Sequence, residues 1–139
     1  MTQFEFIRGM KKLTCYYLKD MTEDQLTTWY EAYKDLDVDI FHMAVKQIGI
    51  KNKYFPTCAE LMQEYKNQMP KYLLNFVNKS KDIPEDRKKY FRDLIDWYSY
   101  KEYPEEFLEE ILNYRKQLEY QKDKKLYSNQ RLAIENKSN

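Results

Sequence analysis

The sequence predicts an all-α protein, built as a compact N-terminal four-helix unit followed by further helices that include a long C-terminal one. Three observations lead there. Apolar residues recur along nearly the whole chain at the i, i+3, i+4, i+7 spacing of an amphipathic helix. Residue pairs able to close free backbone amides stand where those stripes begin. Only two of the 139 residues are glycine, Gly9 and Gly49, whereas hairpins and barrels draw on glycine at their turns.

Phe4, Ile7, Leu13 and Tyr17 mark a first helix over residues 2–18, and Lys19-Asp20-Met21 reads as a connection. Thr22 and Gln25 form a capping box that opens a second helix over 23–36, with Leu26, Trp29, Tyr30 and Tyr33 on one stripe. Asp37 caps a third helix that carries Ile40, Phe41, Ala44, Val45 and Ile48 on one face. Gly49 is read as its stop, because glycine readily takes the left-handed conformation that ends a helix. After the basic connection Lys51-Asn52-Lys53, a second capping box, Thr57 with Glu60, opens a fourth helix whose apolar face is Cys58, Leu61, Met62 and Tyr65. Residues 2–68 thus form the four-helix unit.

Pro70 sets a border, since proline lacks an N–H and restricts the residue before it. The expected organisation is a helical platform over 1–69, additional helices over 70–118 and a polar, basic tail over 119–139. Leu73, Leu74, Phe76 and Val77 suggest a short helix. Pro84 starts another, which presents Tyr90, Phe91, Leu94, Ile95 and Tyr98 and ends in the aromatic run Trp97-Tyr98-Ser99-Tyr100. Pro104 falls in the first turn of the long final helix, with Glu105 and Glu106 at the positive end of its dipole and Phe107, Leu108, Ile111, Leu112 and Leu118 as its stripe. Beyond Leu118 the stripe thins to Leu126, Leu132 and Ile134, too sparse to bury a continuous face. The tail is therefore expected to fray unless a partner orders it.

The same residue counts exclude several classes of function. Neither a Walker loop nor a dinucleotide-binding fingerprint can be written with two glycines forty residues apart. One histidine, His42, and two cysteines, Cys15 and Cys58, do not have metal-ligand spacing, so neither a metal nor any other cofactor is expected. The cysteine usage and the short apolar runs place the protein in a reducing cytoplasm, with no membrane partner. With 24 basic and 23 acidic side chains, no global field draws the chain to nucleic acid. Composition instead stresses aromatics, with 14 Tyr, 7 Phe and 2 Trp, residue types that serve contact surfaces as well as cores.

No constellation reads as a catalytic site. Asp35, Asp37 and Asp39 alternate like the front of a calcium loop, but Ile40 and Lys46 stand where that loop needs glycine and glutamate. These aspartates are better read as solvating and capping a helix start. His42 edges a core stripe, Cys58 reads as a small buried hydrophobe, and the pairs Glu105-Glu106 and Glu109-Glu110 sit on a solvated helical face. No catalytic residue and no enzymatic activity are expected. The one stretch with binding character is basic and aromatic together: Tyr114, Arg115, Leu118, Tyr120, Lys122, Lys124, Lys125, Tyr127 and Arg131. Rings and cations on a weakly buried helix suit a protein partner. The same mixture suits nucleic acid, where bases stack on rings and phosphates meet lysines, although Glu119 and Asp123 dilute it.

Three blocks carry a family resemblance: Phe6-Ile7-Arg8-Gly9-Met10; Thr22-Glu23-Asp24-Gln25-Leu26 followed by Trp29-Tyr30; and Phe55-Pro56-Thr57-Cys58-Ala59-Glu60-Leu61. In order and spacing they resemble the phage replicative-helicase loader and inhibitor proteins, over about residues 2–68. That resemblance implies a non-enzymatic adaptor without an ATPase loop, which binds the hexameric replicative helicase, restrains it and hands it to an origin-bound initiator. It also implies a folded N-terminal platform and a polar C-terminal region that grips the helicase. Residues 70–139 depart from the family picture, with at least two aromatic-rich helices. Two other readings stand beside it: a phage inhibitor of a host nucleic-acid enzyme such as a defence nuclease, and a direct DNA binder. Loading and inhibition begin with the same contact, and self-association through the final helix stays open.

Overall fold

A computed structural model describes residues 1–101 and 106–137, and every regular element in them is a helix. The six are α1 (Gln3–Tyr17), α2 (Glu23–Tyr33), α3 (Val38–Lys51), α4 (Cys58–Lys79), α5 (Glu85–Lys101) and α6 (Glu106–Lys137). Two compact units divide the chain, Met1–Tyr72 and Leu73–Asn139, with the border inside α4. Pro104 and Glu105 lie outside the described residues, as do the side chains of Tyr100, Phe107, Leu132 and Ile134.

Cap chemistry starts the helices of the first unit as their residues require. Thr2 with Glu5, Thr22 with Gln25 and Thr57 with Glu60 close reciprocal capping boxes, and the Asp37 carboxylate accepts from the amides of Asp39 and Ile40. An aromatic cluster fills the centre. Phe6 stacks on Phe41 at 5.7 Å and on Tyr33 at 6.3 Å, and Tyr33 lies 5.5 Å from Phe41. Met10, Leu13, Ile40, Ala44, Val45, Ile48 and Leu61 complete the core. The Tyr33 hydroxyl, enclosed with its ring, donates to the Cys58 carbonyl at 2.5 Å and so ties the end of α2 to the start of α4. Burial pushes that phenol far above its ordinary range. His42, at the edge of the core, has its Nε2 3.2 Å from the Glu5 carbonyl.

The structure corrects the helix limits in three places. The second helix stops at Tyr33, three residues before the expected end, and the turn that follows places the Leu36 amide on the Tyr33 carbonyl at 3.0 Å. Gly49 does not end α3, which continues to Lys51 with Asn52 as its extended cap. Neither glycine has positive φ; each instead lets α1 and α3 approach closely. A Cβ on Gly9 would meet the Phe41 ring, and one on Gly49 would meet the Tyr16 ring. The left-handed helix end falls instead on Leu18, at φ 50° and ψ 43°, where the Lys19 amide returns to the Thr14 carbonyl at 3.1 Å.

The third correction is at Pro70, which breaks nothing: the fourth helix and the short helix expected over Leu73–Val77 are one helix of 22 residues. A proline inside a helix forfeits one hydrogen bond and crowds the preceding turn, at a cost of about 3 kcal/mol. Opposing it is a stripe at four-residue spacing, Leu61, Tyr65, Met69, Leu73 and Val77, every member of which is buried. Each such burial contributes roughly 1.5–3 kcal/mol, so two or three of them exceed the cost of the proline.

In the second unit Leu73, Val77, Ile83, Phe91, Leu94, Ile95, Leu108 and Ile111 are buried. α5 begins after Pro84, whose carbonyl accepts from the Lys88 amide at 2.9 Å, and it runs through the aromatic stretch to Lys101. The tail expected to fray is helical in the structure as far as Lys137.

Candidate partner-binding surface

The sequence-predicted contact residues all lie on α6, and the helix divides them between two faces. At 100° per residue, Tyr120, Lys124, Tyr127 and Arg131 fall within an arc of about 60°, whereas Tyr114, Arg115, Leu118, Lys122 and Lys125 occupy an arc of about 100° on the opposite side. The second arc continues the line of Leu108 and Ile111, which are fully enclosed; Tyr114, Arg115 and Leu118 on it are half-buried, whereas Lys122 and Lys125 further along are exposed. The Tyr114 ring meets the edge of Phe91 at 5.2 Å and carries the Arg87 guanidinium 5.3 Å from its centroid. Arg115 pairs with Glu119 at 3.3 Å, and Leu118 is half-buried. Lys122 donates to Asp82 at 2.8 Å, a hydrogen bond that raises the lysine and lowers the carboxyl.

The first arc faces solvent. Every described side chain from Glu119 to Arg131 is exposed, and Tyr120 and Tyr127 each keep 68% of their surface open. A tyrosine ring held on a helix loses little rotamer freedom on binding and presents apolar area with a polar tip. Lys124 and Arg131 lie between and beyond the two rings, so the arc alternates ring and cation over three turns. Among the described residues no group of three or more His, Cys, Asp or Glu side chains is placed to hold a metal, and no helix is long and apolar enough to cross a membrane.

Sequence reasoning missed two surfaces. One is a groove of about 260 Å³ between α1 and α2, lined by Phe6, Ile7, Leu26 and Tyr30 with Glu23 and Glu31 beside them. Ile7, expected on the stripe with Phe4 and Leu13, is exposed beside this groove, as is Phe4 on α1, while Phe6 and Met10 are enclosed in their place. The other is a lysine-lined cleft of the second unit, where Lys79 and Lys81 share one opening with Lys122. The sequence carries only a basic Lys79-Ser80-Lys81 run as a signal, and its nearness to α6 is a tertiary fact.

Residues 1–62, within the first unit, match the family model for the N-terminal domain of a phage helicase loader and inhibitor protein. No curated protein and no solved structure matches the chain.

Proposed function

We propose that this protein is a non-enzymatic adaptor that binds a replicative DNA helicase, restrains it and delivers it for phage DNA replication. The match of residues 1–62 to the helicase loader and inhibitor domain carries the reading. In it the first unit is the platform and α6 is the arm. Tyr120, Lys124, Tyr127 and Arg131 make the first contact, because their exposure leaves both rings and the Lys124 ammonium within reach of a partner. Tyr114, Arg115 and Lys122, engaged within the second unit, hold the arm in place, with Leu118 and Lys125 on the same side.

The test is capture of the cognate hexameric helicase by the full chain and by a Tyr120→Ala, Lys124→Ala, Tyr127→Ala variant. These side chains are exposed, so thermal unfolding should not change while capture falls at least tenfold. Undiminished capture would remove α6 from the interface. Recovery of a host nuclease in place of the helicase would replace the adaptor reading with that of an inhibitor.

A further inference from the structure

The second unit holds an open cleft of about 600 Å³, lined by Phe76 and Lys79 from α4, Lys81 and Asp82 from the α4–α5 loop, and Lys122 from α6. Residues forty positions apart in sequence thus gather like charges at one opening. Among the described residues Asp82 is the only carboxylate in the lining, and it is occupied: the Lys122 ammonium donates to it at 2.8 Å. Lys125 lies near enough to act on the same carboxyl. Among the described residues neither Lys79 nor Lys81 forms an ion pair, so the cleft keeps uncompensated positive charge although the whole chain carries only +1.

The character of the cleft selects its ligand. It is wide, and its lysine heads stay hydrated, so an isolated small anion would exchange one shell of water for another with little gain. A polyanion whose charges repeat gains at every lysine together, because each neutralised phosphate releases condensed counterions. Phe76, half-buried in the wall, adds an apolar ring for a base that is not already stacked, which a single strand offers and a duplex does not. We propose that this cleft binds the phosphodiester backbone of single-stranded nucleic acid, with Lys79 and Lys81 of its lining and Lys125, one turn beyond Lys122 on α6, on phosphates and Phe76 against a base. The site is independent of the α6 arc and of the adaptor reading.

Fluorescence anisotropy of the full chain with a labelled oligothymidylate of about 15 nucleotides tests it. Three phosphate contacts on a single strand give a salt slope near −2, so affinity should fall about fifteen- to twentyfold between 50 and 200 mM salt. Lys79→Gln with Lys81→Gln should weaken binding at least fivefold at 50 mM and flatten the slope by about two-thirds. Asp82→Asn should tighten binding severalfold, because it frees Lys122, and a gain of affinity cannot come from misfolding. Lys12→Gln with Lys46→Gln makes the same change of net charge in the first unit and should leave affinity unchanged. The proposal falls if the two double variants weaken binding equally, if Asp82→Asn does not tighten it, or if a duplex of the same length binds as well as the single strand. Inorganic phosphate displacing the strand more than chloride at equal ionic strength would also overturn it, by showing a small-anion site.

Discussion

The ammonium of Lys51, in the last turn of α3, is hydrogen-bonded to the carboxylate of Glu64, which is 3% exposed on α4 and accepts a second bond from the Gln68 amide at 2.8 Å. Burial by itself would raise the Glu64 carboxyl, but the bonds from Lys51 and Gln68 outweigh it and hold the group below the ordinary carboxylate range. The pair therefore fastens two helices of the first unit, and its strength depends on pH. A carboxyl depressed in the folded state contributes stability that is present above the unfolded value, near 4.3, and is lost as pH falls through the folded value. Lys51→Met should leave a charge enclosed without its main partner and cost about 1–2 kcal/mol at pH 7, a figure reduced because Lys51 itself is half exposed. Urea titrations should show that deficit shrinking below pH 5, and a deficit of equal size at pH 3 would refute the electrostatic account.

The two glycines should respond differently to alanine. Each gains about 1 kcal/mol of helix propensity on substitution. At Gly9 the new methyl meets the ring of Phe41, which the core encloses, and has His42 Cδ2 at 3.1 Å; overpacking of this kind costs about 1–3 kcal/mol. At Gly49 the obstacle is the half-exposed ring of Tyr16, which is free to swing outward. Chemical denaturation should find Gly9→Ala destabilised by about 1 kcal/mol and Gly49→Ala neutral or slightly stabilised.

Leu18 occupies a backbone region that suits glycine, at φ 50°, with 96% of its surface exposed. The left-handed conformation costs an L-residue about 1–2 kcal/mol, and Leu18 has almost no burial to offset it. Leu18→Gly should stabilise the protein by about 0.5–1 kcal/mol after the extra entropy of the unfolded chain is deducted. A lowered melting temperature in calorimetry would contradict the assigned geometry.

Protection from hydrogen exchange should vary along α6. Leu108 and Ile111 are enclosed and Tyr114 is braced by Phe91, whereas the side chains from Glu119 to Arg131 are all exposed. Amides between residues 110 and 118 should exchange far more slowly than those between 122 and 131, since opening the outer turns disturbs no core. Uniform protection would require a contact that covers the outer turns.

Much of the fold was legible in the sequence because it rests on local chemistry. Thr22 with Gln25, Asp37 and Thr57 with Glu60 start their helices through bonds that span three residues or fewer. The stripes Ile40, Phe41, Ala44, Val45, Ile48 and Leu108, Ile111 became core as their spacing required. The three blocks that carried the family resemblance lie within the matched 62 residues. Pro70 and Gly49 were misread for the same reason. Their local preferences, to break and to end a helix, are worth a few kcal/mol at most; burial along Leu61–Val77 exceeds that at Pro70, and past Gly49 the helix runs on to Lys51, whose ammonium is bonded to Glu64.

By itself the sequence determined the helical class, where three of the helices begin, most of the residues that form the two cores and the resemblance of the first unit to the helicase loader and inhibitor domain, all of which depend on periodicity and on contacts between near neighbours; on α1 the expected Phe4 and Ile7 are exposed, and Phe6 and Met10 are enclosed instead. The tertiary structure alone decided which of the nine candidate side chains on α6 are committed to the fold and which face solvent, that both glycines serve close helix approach, and that Lys79 and Lys81 stand beside Lys122. Those facts depend on which elements pack together, and that outcome is set by burial summed over many residues distant along the chain.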